Sequence, residues 1–496
     1  MASITVLYHA VNNLSSVPWI LPELIVVALI VAVIIGAALP PNSSRWWIGI
    51  LVPLGLFAAL LSTLWGTPDA GTKTRALFNG LLVWTPLVTF FRSFFTSATG
   101  LTLFMMRLQE RPIVLVRWAF VLSVLLGANL LAMAAHWLVV YLSLGLLSLA
   151  VALLIYGPDT AARAVASLQY LLHSTIVLAI MLWGLSFLYG FGHDLNVSAW
   201  SSVATHQAAS PLWGYAGVLV LLSGVLFVSA LFPFHFWVPD AYTVVPPWAL
   251  AYLATVPKLA GIAFLMRLCA QIPLLAYGDG TAHVQHFLAL LALMTIAIGN
   301  VGALLQKDVC RMMAYASVAQ GGILVAGVVA LPKDHAGVLY YGLAYGMGSF
   351  AALMGIQILS QLTGQKQILG YAGLGRRFPV FGVSLTVAMV SLVGLPPTAG
   401  FVGKFLILQM LWEGAMRGQG LVLGSLLAAS LLSTLPALYY YLKIPYVMFL
   451  QPHSMPFEAK LSTSDKIVRG LVVILAIALV GMVGGIRWCL ALLGSQ

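Results

Sequence analysis

Fourteen apolar runs, each long enough to cross a bilayer, fill this sequence almost from end to end. They lie near 18–39, 46–65, 80–106, 112–134, 137–156, 163–189, 211–232, 247–271, 284–305, 310–331, 337–361, 380–412, 418–448 and 467–493. About 20 apolar residues suffice for a spanning helix. In hydrocarbon every backbone polar group must be satisfied inside the protein, so such runs specify helices or a closed barrel. Runs of this length are too long for barrel strands. The expected fold class is an all-α polytopic membrane protein with about 14 transmembrane helices. Only 7% of the residues are charged, against 61% hydrophobic, which excludes a water-soluble enzyme of this size. The longest connections, near 190–210 and 449–466, are too short to fold alone. No cleavable leader is expected, because Met1–Val17 lacks a basic n-region.

The net charge of +11 is topological rather than a nucleic-acid footprint. Of the 23 basic residues, only Lys73, Arg75, Arg267, Lys333, Arg417 and Arg487 fall on one side. Arg92, Lys258 and Lys404 lie within spans, and the others gather on the opposite side. That bias predicts both termini outside, with an even number of spans. Cys269, Cys310 and Cys489 show no metal-ligand or redox spacing. The histidines form no ligand pair, and His283 and His286 share a helix start expected to face water. No metal site or cofactor is therefore expected on this chain.

Lys258 lies about ten residues from either end of an apolar run from Trp248 to Leu268. At 1.5 Å per residue that is roughly 15 Å from each surface, the middle of a bilayer. A charge there costs at least ~2.5–3.5 kcal/mol and marks a functional position by default. Lysine, unlike arginine, can release its proton when buried, so Lys258 is a candidate proton relay. The alternative is a structural lysine bonded to the carbonyl that Pro257 frees. Lys404 lies two turns past Pro396-Pro397 and is read the same way. Its alternative is an interfacial lysine near the outer end of a tilted helix. Arg92 is expected to snorkel to an interface, and Glu23 to sit at one.

Two spans are interrupted. One break runs from Leu231 through Pro233 and His235 to Asp240, and the other from Gly394 through Pro396 and Pro397 to Phe405. Broken helices in corresponding positions point to a transport path and to an inverted repeat. The expected organisation is a three-helix segment (1–111), a first five-helix repeat (112–271), a second (284–448), and a loop with a final span (449–496). The breaks fall in spans 7 and 12. His235 stands beside the first break and is a candidate relay. His173, with Gln169 and Tyr170 in span 6, is either a relay or a satisfied core residue. Asp240 is expected to cap the next segment or to pair near the inner surface.

The stretch Pro233-Phe234-His235-Phe236-Trp237-Val238-Pro239-Asp240-Ala241-Tyr242 resembles the signature of the proton-conducting membrane subunits of respiratory complex I and of multisubunit cation/proton antiporters. Leu253–Gly261, Gly299–Gln320 and Gly394–Phe405 agree with it. The Asp240-Ala241-Tyr242 and Thr255-Val256-Pro257-Lys258 wording is similar to the N type of antiporter-like subunit. The M type has a glutamate where this sequence has Lys404, and the L type's long C-terminal lateral helix is not expected here. The resemblance implies that Lys258 is the central and Lys404 the terminal lysine of a hydrated proton axis. It implies NADH, flavin, iron–sulfur clusters and quinone on partner subunits, and a bacterial inner (plasma) membrane. It also implies neighbouring antiporter-like and small membrane subunits as partners. Four family positions are lost. The fifth-span glutamate is Gly145, the seventh-span lysine Val228, the sixth-span lysine Gln169 and the tenth-span histidine Gln320. Three readings stay open: a proton-translocating subunit, a degenerate scaffold of the same complex, and a subunit of a cation/proton antiporter.

Overall fold

The computed structural model describes residues 13–39, 47–65, 74–109, 114–157, 160–198, 211–271, 282–331, 335–416, 420–452 and 463–484. Lys73, Lys333, Arg417, Arg487 and Cys489 lie outside the described residues, as does the His283 side chain. Among the described residues 12 helices are long and apolar enough to cross a membrane, with Gly217–Val228 and Pro379–Val393 as shorter apolar segments. The chain is a multi-pass membrane protein, and its described residues are almost entirely helical.

Two compact units account for the chain, 1–229 with 256–281 and 230–255 with 282–496. In the first, α1 (Leu21–Ala38) and α2 (Ile48–Trp65) precede a hairpin of β1 (Arg75–Leu77) and β2 (Leu82–Trp84). Then come α3 (Pro86–Gln109), α4 (Leu115–Met133), α5 (Trp137–Ile155), α6 (Ala161–Gly192) and α7 (Pro211–Val228). The third span, expected from residue 80, starts at Pro86, because 82–84 pair antiparallel with 75–77 instead. The short helix α8 (Trp237–Val244) belongs to the second unit. Helix α9 (Pro247–Gln271) is divided between the units just before Val256. The second unit continues with α10 (Ala282–Leu304), α11 (Val309–Ala330), α12 (Ala336–Thr363), α13 (Pro379–Val393), α14 (Ala399–Met416), α15 (Gly420–Leu432), α16 (Thr434–Leu450) and α17 (Thr463–Gly484). Helices α10 and α11 approach closely at Gly299, where an added Cβ would stand 2.4 Å from the Ala319 nitrogen.

Arg92 does not snorkel. It is 2% exposed and forks onto Glu23, Nε to Oε1 at 2.9 Å and Nη2 to Oε2 at 2.6 Å, with a further bond from Nη2 to the Trp19 carbonyl at 3.2 Å. Glu23, expected at an interface, is 4% exposed. A bidentate pair of this kind satisfies both desolvated charges, which neither could achieve alone. Arg267 is no solvated loop charge either. It is buried in α9 and donates through its two Nη atoms to the carbonyls of Ala132 and Ala134 at the α4–α5 turn.

That turn is tied to the hairpin by the Leu82–Ala134 bridge, and to 194–197 by the His136–Asn196 bridge. His136 caps α5, its Nδ1 accepting from the Leu138 amide at 3.2 Å. Partial burial holds the imidazole below its ordinary 6.5, against an opposing pull from Asp194. Asp194 is itself held low by the Asn196 amide. The folded state thus prefers neutral His136. Its contribution is complete above pH 6.5 and is lost as pH falls below it. Acidification towards about pH 5 should loosen this turn. His136→Asn keeps an acceptor and should flatten the dependence of melting temperature on pH.

Candidate functional site

Proline and glycine decide where the second unit's helices stop. Helix α13 ends at Gly394, whose φ of +87° suits a residue without a side chain. Pro396 and Pro397 cannot donate backbone hydrogen bonds, so the chain runs non-helically to Thr398 and resumes at Ala399. The turn leaves carbonyls at the end of α13 without helical donors. Lys404 supplies one: its Nζ, on a side chain from a residue 4% exposed, lies 3.4 Å from the Val393 carbonyl. The same Nζ donates to the Thr434 hydroxyl at 2.8 Å. Thr434 opens α16 directly after the interruption at Ser433, which divides the thirteenth expected span in two. Lys404 therefore joins two helix breaks. Its side chain is buried in the protein.

The end of α13 carries a second polar contact. The Gln320 amide nitrogen donates to the Leu392 carbonyl at 2.8 Å, and its oxygen accepts from the Tyr341 hydroxyl. Adjacent carbonyls, Leu392 and Val393, thus anchor Gln320 and Lys404. Further hydroxyls extend this polar interior: Tyr345 donates to the Ala254 carbonyl at 3.0 Å, and Tyr242 and Ser317 lie 3.3 Å apart. Tyr440 donates to the Asn300 side-chain oxygen at 3.3 Å. An ammonium flanked by hydroxyls and free carbonyls can hand a proton on and be reprotonated, provided water completes the chain.

Gly394 has a second role here. An added Cβ would stand 3.0 Å from the Lys404 Cδ. Gly394→Ala should destabilise the turn by about 1–2 kcal/mol through its backbone angle alone. It should also displace the lysine from Val393 and Thr434. The expected result is a lower rate of coupled turnover than in a Gly424→Ala control, where an added Cβ meets open space.

Lys258 is 2% exposed in α9, and the helix continues through Pro257, which gives the Leu253 carbonyl no helical N–H donor. One turn on, Gly261 lies against Ser229, whose buried hydroxyl has no hydrogen-bond partner among the described residues. His235 is half-buried in the break ahead of α8, which Pro233 opens. There the Phe232 amide donates to the Thr295 hydroxyl at 3.0 Å. Asp240 pairs with Arg311 at 2.7 Å, and both are about half-exposed. His173 is half-buried on α6, with Gln169 exposed beside it. Gly145 is half-exposed with open space beside it, whereas Val228 is buried at the end of α7.

Thr434, Tyr341, Tyr345 and Tyr440 carry no expectation from the sequence. A signal for Thr434 existed: Ser433-Thr434-Leu435-Pro436 is a helix-start pattern, a serine followed by proline in the first turn. Tyr341 and Tyr345, one turn apart, show nothing in sequence that separates them from core aromatics.

Residues 134–432 match the family model described as NADH:quinone oxidoreductase/Mrp antiporter, TM. The chain is 29% identical over 452 residues to NADH-quinone oxidoreductase subunit N of Trichlorobacter lovleyi, covering 88% of each. It is 33% identical over 362 residues to the subunit N of Chlorobium chlorochromatii, covering 71% of this chain and 69% of that one. In structure it resembles a chain of respiratory complex I from Thermus thermophilus, with a TM-score of 0.76 and 28% identity. The match covers 95% of this chain and 99% of that one.

Proposed function

The chain belongs to the membrane-subunit family of NADH:quinone oxidoreductases and Mrp antiporters, and from that premise we propose that it is the N-type, proton-translocating subunit of a bacterial NADH:quinone oxidoreductase. The observation that carries the proposal is Lys404, buried and bonded to Val393 and Thr434 where two helices break. Lysine is suited to reversible proton transfer in such a place, and irregular backbone at membrane depth is tolerated where it lines a hydrated cavity. Lys258 is assigned the same role in α9. His235 and His173 are assigned secondary relays at half-buried positions. The electron chemistry belongs to partner subunits holding flavin, iron–sulfur clusters and the NADH and quinone sites. The chain sits in the inner membrane with both termini outside, following the basic-residue bias.

Gly145 and Val228 favour a second reading, a scaffold that carries fewer protons per turnover. In place of a carboxylate and an ammonium, the first half has a half-exposed glycine and a buried valine. The test is Lys258→Arg in the intact complex, reconstituted in vesicles. Arginine keeps the charge but does not release its proton. Acidification per electron should fall while assembly survives. Normal pumping by this variant would make Lys258 structural. Purified native complex that fails to oxidise NADH would instead favour the antiporter reading.

A further inference from the structure

Helix α16 presents Lys404's partner, Thr434, at its start and a different surface at its far half. Between that half and the turn Ile368–Tyr371 lies a groove of about 430 Å³. Its walls are apolar, formed by Leu369, Leu438, Leu442 and Val447, and Lys443, Tyr439, Tyr446 and Gln451 line it as well. Leu369, Tyr439 and Tyr446 are 62%, 60% and 55% exposed. The Lys443 Nζ sits 5.9 Å from the Tyr439 ring centre and makes no ion pair among the described residues. Arg376 donates to the Phe449 carbonyl at 2.6 Å near the end of the same helix, and exposed Arg377 follows it.

We propose that this groove binds one anionic phospholipid, its acyl chain along the apolar wall and its phosphate at Lys443. Three observations converge on that occupant. The groove lies at the end of a spanning helix, beside the basic loop that carries Lys366, Arg376 and Arg377. Tyrosines gather at membrane–water boundaries, with ring in the apolar region and hydroxyl towards water. A lysine with an apolar stem and no acid partner among the described residues suits a phosphate above an acyl chain, and basic pockets between helices select acidic head groups.

The intact complex is purified as wild type, Lys443→Ala and Lys443→Arg, washed in detergent, and its phospholipids and subunits are quantified by mass spectrometry. The wild type should retain anionic lipid, Lys443→Ala should hold it about fivefold more weakly, and Lys443→Arg should hold it as the wild type does. Phosphatidylglycerol nanodiscs should raise the melting temperature over phosphatidylcholine nanodiscs for the wild type and Lys443→Arg only. Equal lipid retention in all three would overturn the proposal. So would loss of a neighbouring subunit from Lys443→Ala in place of lipid, which would make the groove a protein interface. Stabilisation by inorganic phosphate without lipid would overturn it as well.

Discussion

Lys404→Met should slow quinone reduction in sealed vesicles to a small fraction of the wild-type rate, and an uncoupler should restore most of it. The lysine's Nζ bonds the Val393 carbonyl and the Thr434 hydroxyl, and methionine can replace neither contact nor carry a proton. If protons pass this point, losing the lysine slows their transfer against the gradient, and that slow transfer holds back the redox chemistry coupled to it. Electron transfer in partner subunits is untouched, which is why releasing the gradient should rescue the rate. Methionine approximates the apolar stem, so the packing change is small. The carbonyl and hydroxyl left behind are themselves available to water at the break. A variant whose rate ignores the uncoupler would place Lys404 in folding instead.

Glu23→Leu should be the most destabilising single change in the first unit. It strands Arg92, 2% exposed, with one carbonyl contact from Trp19 remaining. Breaking a buried pair by removing one partner costs about 3–5 kcal/mol, because the surviving charge is left uncompensated. Replacing both together, Glu23→Leu with Arg92→Leu, should recover most of the loss, since well-packed apolar residues of similar volume are often neutral there. The measurement is the yield and melting temperature of the assembled complex for both singles and the double. If the double is no better than Glu23→Leu, the pair fixes the geometry of α1 and α3 through its directional bonds.

Glu23 and Arg92 also mark what the sequence could not reveal. They are 69 residues apart, and nothing local in either predicts the other. Read singly, each looks like a charge seeking an interface. The breaks at Pro233 and Pro396 were legible because proline removes a donor and Gly394 permits a positive φ, both local effects. The burial of Lys258 and Lys404 was legible from their depth in apolar runs. What holds Lys404 was not, since Thr434 lies 30 residues downstream, at a break marked only by Ser433 and Pro436. Gln320 was legible only as a lost histidine. In the fold its amide uses both ends, accepting from Tyr341 and donating to Leu392, a pairing that needs three helices in place.

The proton-to-electron ratio of the intact complex in sealed vesicles, wild type against Lys404→Met, tests the central claim most directly. Proton uptake and NADH oxidation are followed together in the same preparation, with subunit composition checked beforehand. If protons pass through this subunit at Lys404, the variant's ratio falls below that of the wild type while uncoupled electron transfer stays near normal. A variant that assembles, oxidises NADH and shows the wild-type ratio would contradict the account, leaving the subunit as a scaffold.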